Sequence, residues 1–319
     1  MENIEHLLNK FKEETAIPSI VLTTERRSDM AITDSKLGGN PYLPKNFAYP
    51  TSPKGEPLKL LAQLNFAQLP VLANFPTDGI LQFFVLPDET VGMNDYPQIR
   101  QNTFRVVYHK EIETDENIMT DFPEIKWIAA HDGAEIAEEL YPFTGEFLLK
   151  GQIMPCAMPY STYEFDNMFA AFCKNQNIES YFKPYFMDWE KMKKSMTKSE
   201  FKEFDREQRR LEDLVWGTFS GDEAHRIGGY PYFVQNDPRS WGEPALKKYD
   251  TLLFSVASEY NTDKERKLID MGMVDDEIKP IGDGNEIMWG DAGVANFLIN
   301  ADDLKNLNFL DVLYTWDCG

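Results

Sequence analysis

Only three cysteines occur in the 319 residues, Cys156, Cys173 and Cys318. They are odd in number, widely spaced and without a C-x-x-C pair, which argues against a disulfide framework and a cysteine-based zinc site. They read as reduced thiols. Positive charge is also scarce: 32 Lys and Arg against 53 Asp and Glu leave a formal net charge of −21. Phosphate-rich partners are held largely by Lys and Arg, so no nucleic acid and no membrane partner is expected, and a basic protein remains the natural one. No apolar run approaches the ~18 residues of a membrane span. The opening Met1-Glu2-Asn3-Ile4-Glu5 is acidic, where a secretory leader is basic. The expected compartment is the cytoplasm.

Catalytic signatures are missing too. There is no G-x-S-x-G elbow, Walker loop, Rossmann glycine fingerprint, H-E-x-x-H or EF-hand loop, so no catalytic residue is nominated and no cofactor is expected. His131 and Glu135 are spaced i,i+4, but Gly133 interrupts the helix they would need and no third ligand is in view, so no metal is assigned. Asp283-Gly284-Asn285-Glu286 lacks regular ligand spacing and reads as a turn. Cys318 has no neighbouring base and reads as an ordinary cysteine of a terminal strand.

What is present is enough apolar material for a large core: hydrophobic residues make up 42% and aromatics 13% of the chain. Ile4, Leu7, Leu8 and Phe11 share one face of a helix that ends before Pro18. Strands are predicted at 19–24, 58–66, 79–86, 104–109, 126–130, 146–150 and 251–257, from short apolar runs bounded by Gly and Pro. S-x-x-E capping boxes at Ser161 to Glu164 and Thr197 to Glu200 announce helices. Between 188 and 213 the eight basic and eight acidic residues cancel, although Glu203 with Glu207 and Lys202 with Arg206 are unfavourable i,i+4 neighbours. A further helix is expected from Asp263 to Gly272.

One pattern recurs. Lys36-Leu37-Gly38-Gly39-Asn40-Pro41-Tyr42-Leu43 returns as Arg226-Ile227-Gly228-Gly229-Tyr230-Pro231-Tyr232-Phe233. Each copy is followed by a loop and an apolar strand, and Gly79 to Asp88 aligns with Gly293 to Asp302. Three paired segments in one order imply an internal duplication. The expected fold is α+β in one compact domain over 1–319, with two related, mainly antiparallel or mixed β units, peripheral helices and a helical insert. Its parts are an N-terminal helix and strand (1–30), a first repeat (31–150), the insert (151–220) and a second repeat (221–319).

A basic residue beside paired glycines could cradle an anion, but the preferred reading is a tight turn needing positive φ. Gln63, Gln82 and Asn296 interrupt apolar strands, and buried amides must find partners; a structural network linking the repeats is expected. Trp289-Gly290-Asp291-Ala292-Gly293 reads as a constrained turn at a strand start. The residues expected to line any pocket between the repeats are Arg226, Gln63, Gln82, Trp289 and Asp291.

The Gly-Gly frame, Leu61-Ala62-Gln63-Leu64-Asn65, Gly79-Ile80-Leu81-Gln82-Phe83-Phe84, and Trp289-Gly290-Asp291-Ala292-Gly293 followed by Asp302-Asp303-Leu304 together resemble the YwqG-like family. The likeness runs from about residue 30 to the end. It implies a bacterial intracellular α+β protein with a duplicated unit and an association with toxin-immunity gene neighbourhoods. It carries over no catalytic or binding residue. The leading expectation is a binding or immunity-type protein whose acidic surface meets a basic protein partner. The alternatives are an enzyme or small-ligand binder with a pocket between the repeats, and an assembly role for the charged insert.

Overall fold

A computed structural model describes residues 2–128, 141–221, 223–241, 244–260 and 285–319. Ten strands form one antiparallel sheet: β1 (Ile17–Arg26), β2 (Lys36–Leu37), β3 (Lys59–Asn65), β4 (Ile80–Val85), β5 (Phe104–His109), β6 (Phe147–Cys156), β7 (His225–Gly228), β8 (Thr251–Ala257), β11 (Val294–Ile299) and β12 (Val312–Asp317). A separate pair, β9 (Glu259–Tyr260) and β10 (Asn285–Ile287), makes a second small sheet. The order in the large sheet is β12-β11-β8-β7-β1-β6-β2-β3-β4-β5. β1 and β6 therefore lie at the centre, with a first wing of β2 to β5 on one side and a second wing of β7, β8, β11 and β12 on the other. The fold is α+β as expected, and the β units expected to be antiparallel or mixed share one continuous sheet in which every neighbouring pair is antiparallel.

The wings share registers. Lys36 stands opposite Gln63 and Gln63 opposite Gln82; Arg226 stands opposite Ser255 and Ser255 opposite Asn296. The ladder skips Leu61 in the first wing and Leu253 in the second, each two residues before that row. Such a bulge bends a strand and raises its twist.

β3, β4, β8 and β11 are buried almost throughout, which explains their continuous apolar runs: both faces are covered. Inward, Phe83 of the first wing lies 4.8 Å from Phe254 and 4.7 Å from Phe297 of the second. Phe104 lies 5.4 Å from Tyr314. One core thus joins both wings. Outward, Leu43, Leu58, Leu60, Phe84 and Leu86 cover the first wing, and Phe233, Tyr249, Leu298 and Leu313 the second.

The helices are α1 (Glu2–Thr15), α2 (Phe165–Asn175), α3 (Glu179–Phe182), α4 (Trp189–Ser195), α5 (Lys198–Phe219), α6 (Pro238–Trp241) and α7 (Ala301–Lys305). α1 does not stand apart from the insert. Its Phe11 meets Phe165, Phe169, Phe172 and Phe219 at ring distances of 5.8, 5.4, 5.1 and 5.5 Å, so α1, α2, α3 and α5 share a second core.

Local expectations fare unevenly. The strands at 104–109 and 251–257 and the Thr197 to Glu200 capping box are found as read. β6 continues to Cys156, so the first residues assigned to the insert are sheet. Ser161 caps nothing: the N-cap of α2 is Glu164 without a side-chain bond, because Phe165 N–H already turns back to Thr162 O at 2.9 Å. The feared repulsion on α5 is relieved by other pairs, Arg209 with Asp205 and Arg210 with Glu207. Of the strand read at 126–130, residues up to 128 are described, and Ile128 makes a lone parallel bridge with Asp88. His131, Glu135, Asp283 and the helix expected from Asp263 lie outside the described residues.

Candidate functional site

Both Gly-Gly pairs adopt positive φ: 70° at Gly38, 70° at Gly39, 68° at Gly228 and 75° at Gly229. The turns also demand room. A Cβ on Gly38 would stand 2.5 Å from Gly145 O, and one on Gly229 2.9 Å from the Cβ atoms of Ser19 and Cys156. Gly38 N–H donates to Leu61 O at 3.1 Å, so that amide is engaged inside the fold. The turn reading accounts for the glycines.

The amides answer to the same turns. Gln63 is fully buried; its Nε2 donates to Ile32 O at 2.8 Å and Asp34 O at 2.9 Å, and its Oε1 accepts from Tyr42 N–H at 2.8 Å. Gln82 Nε2 donates to Tyr42 O at 2.5 Å and to Gln63 Oε1 at 2.8 Å. With its amide nitrogen so used, Gln82 Oε1 accepts, and His109 Nε2, 3.1 Å away, carries the proton. Burial lowers the pKa of His109 to about 4. In the second wing Asn296 Nδ2 donates to Tyr232 O at 2.8 Å, and Ser255 Oγ to Ala224 O at 3.2 Å. Two further bonds match across the wings: Ser35 Oγ accepts from Asn65 N–H at 2.9 Å, and His225 Nδ1 from Ala257 N–H at 3.1 Å. Each network stays inside its own wing, fixing the Pro-Tyr segment over the outer face; it does not bridge the wings as the sequence suggested.

Of the five expected lining residues, Gln63 and Gln82 touch each other, and Arg226, Trp289 and Asp291 lie apart from them. Gln63 and Gln82 hold the first wing's turn. Arg226, 2% exposed, donates to Ser19 Oγ at 3.2 Å and borders a 220 Å³ cavity with Lys12 and Cys156. Trp289 is fully buried against Trp316, 5.9 Å between rings, and its indole N–H has no acceptor among the described residues. Asp291 is exposed, in a turn where Gly293 N–H returns to Trp289 O at 2.8 Å. The inward faces of the wings are filled by rings.

Sequence reasoning overlooked Asp237 and Arg239, 1% and 2% exposed and joined by paired bonds of 2.9 and 2.7 Å. Arg239 also donates to Tyr249 O and Asp237 accepts from Tyr163 N–H, pinning the helical layer to the second wing. Asp-Pro-Arg inside a loop was the only available signal. Asp317, likewise buried, accepts the Val234 and Gln235 N–H groups; burial raises its pKa against those bonds.

The interior takes charge evenly. Among the described residues the buried cations are Lys36, Arg226 and Arg239 and the buried carboxylates Asp88, Asp237 and Asp317, with His left aside. Among the described residues the acidic excess is therefore displayed outside. It is dense after β5, where Glu111, Glu113, Asp115, Glu116, Asp121 and Glu124 are exposed against Lys110 and Lys126. Of these six, only Glu124 makes an ion pair among the described residues, with Lys126 at 3.1 Å. This segment is tied to the first wing's outer loop by Lys45 N–H to Asn117 O and Met119 N–H to Leu43 O, 2.7 and 2.8 Å. It leads to Ile128, which borders a 510 Å³ cleft with Glu56, Asp88, Glu89 and Lys54.

Among the described residues no group of His, Cys, Asp and Glu could hold a metal ion, and no helix is long and apolar enough to cross a membrane. A family model described as Domain of unknown function (DUF1963) matches residues 35–318. That match is consistent with the YwqG-like resemblance. No curated protein matches the chain.

Proposed function

Because the chain belongs to the DUF1963 family, whose description names no reaction, we propose its function from its own surface: it binds a basic protein partner through an acidic face on the first wing, as an immunity-type protein would. The carrying observation is the segment after β5, where five of six exposed carboxylates make no ion pair among the described residues, on an anchored stretch of backbone. Unpaired surface charge of one sign steers a complementary partner and rejects a like-charged one. The alternative, a ligand pocket between the wings, would need the space that Phe83, Phe254 and Phe297 occupy. In the test, the tagged protein is used to capture partners, which are then identified. A basic partner that is released by salt and lost when Glu111, Glu113, Asp115 and Glu116 become amides agrees with the proposal; no protein partner, or salt-insensitive capture, opposes it.

The same reading includes an internal duplication in which the first strands are exchanged. Matching registers, matching skipped leucines and matching turn-holding bonds support it. In this reading β1 belongs with the first wing and β6 with the second, yet β1 pairs with β7 and β6 with β2. Aligning the two halves across family sequences tests it: a Gly-Gly-x-Pro-Tyr frame confined to one half would count against duplication.

A further inference from the structure

The helical layer carries a groove of 550 Å³ that none of the preceding argument uses. Tyr160 and Trp216 stack along it at 5.7 Å, with planes 28° apart. Tyr185 and Phe186 meet edge to face at 4.9 Å beside them. Tyr160, Phe186 and Trp216 are 36%, 39% and 44% exposed, so large aromatic surface from three separate elements converges where solvent reaches it. A structural core would have closed over these rings, as it does over Phe169, whose ring lies 5.9 Å from that of Phe186.

The charged groups bordering the groove have one sign. Asp166 and Glu212 line it and, among the described residues, no Lys or Arg does. Neither carboxylate forms an ion pair among the described residues: Asp166 accepts from Tyr185 Oη at 2.9 Å, and Arg209, the nearest turn of α5, is engaged with Asp205. Desolvation raises the pKa of Glu212, with Arg209 opposing. Aromatic faces attract cations through their quadrupole, and carboxylates at the rim add the charge term. An anion would meet two carboxylates here, and a neutral apolar segment would leave them desolvated without partners.

We propose that this groove receives the side chain of a lysine or arginine presented by the basic partner, stacked against Trp216 and Tyr160 with its charge toward Glu212 and Asp166. The inference rests on the basic-partner reading above and names a second point of attachment on the same protein. Two points of contact also give register to an attraction that diffuse charge alone leaves unoriented.

The experiment uses the full chain and two probes, a ten-arginine peptide and the single side chain N-acetylarginine methylamide. Indole N–H resonances are followed by NMR, with Trp216 assigned through Trp216→Phe, and peptide affinity is measured by calorimetry. The expected result is that both probes move the Trp216 resonance, and that Trp216→Ala with Glu212→Gln lowers peptide affinity about ten-fold or more. Amidating Glu111, Glu113, Asp115 and Glu116 should weaken the peptide and leave the single side chain's effect on Trp216 unchanged. If the peptide binds in a salt-dependent way, Trp216 stays still and the groove variants bind normally, the groove inference fails and the acidic-face reading stands. If the single side chain moves Trp216 but the peptide does not bind, both the inference and the reading fail as statements about a protein partner. Glu212→Gln alone, at a half-buried position, serves where the tryptophan variant does not fold.

Discussion

Replacing Gln82 by Leu separates a structural amide from a ligand-facing one. The side chain is fully buried and makes three bonds, to Tyr42 O, Gln63 Oε1 and His109 Nε2. Leucine is similar in size but leaves the Tyr42 carbonyl and the His109 N–H without partners, while Gln63 keeps its bond from Tyr42 N–H. Each orphaned buried group costs about 1–3 kcal/mol, and the extra apolar burial returns about 1–2 kcal/mol. For the two orphaned groups together the net loss is about 1–4 kcal/mol, a fall in Tm of about 2–6 °C for a chain of this length. Asn296→Leu at the matching position should cost about 1 kcal/mol or less, since it breaks only the bond to Tyr232 O and removes an oxygen that has no partner. Urea denaturation followed by tryptophan fluorescence measures both. A Gln82→Leu protein as stable as the parent, or an Asn296→Leu protein that loses as much, would refute the reasoning.

Acid should unfold the protein partly through His109: above pH 6.5 both states hold a neutral ring, and between 6.5 and about 4 only the unfolded chain takes the proton. Stability therefore falls as pH falls across that window, by about 3 kcal/mol at most, and His109→Gln should flatten the slope of stability against pH there. Gly38→Ala should cost more than twice what Gly55→Ala costs, because both have positive φ but a Cβ at Gly55 meets nothing within 4 Å; the latter loss should be about 1 kcal/mol, read from the same denaturation curves. Phe11→Ala should cost about 3–5 kcal/mol and expose the α1 seam to proteolysis before the sheet, which limited digestion would show.

Much of the sheet was legible because its strands are short apolar runs between turn residues, and burial on both faces keeps those runs unbroken. The Gly-Gly frame was legible because positive φ and close approach leave glycine little competition. β12 was read only as an unbounded terminal strand near Cys318, since Val312 to Asp317 mixes polar and apolar residues; it takes its place by pairing with β11 and through a bridge between Tyr314 and Gln98. The Gly151 to Cys156 half of β6 was lost to glycine and proline, which a central strand tolerates here because β1 runs alongside through all ten pairs. The pocket residues misled for a related reason. An amide in an apolar strand announces a partner without saying whether it is a ligand or a backbone carbonyl some 40 positions away, as Tyr42 is from Gln82. The aromatic groove left no linear trace at all: Tyr160, Tyr185 and Trp216 meet only once the helices are packed.

Titrating the intact protein with the ten-arginine peptide, beside the variant in which Glu111, Glu113, Asp115 and Glu116 are amides, tests the proposed acidic face most directly. The account predicts parent affinity that falls about ten-fold or more between about 50 and about 300 mM salt, as screening shortens the Debye length, and a variant that binds weakly at both. Equal binding by parent and variant, or binding indifferent to salt, would contradict it.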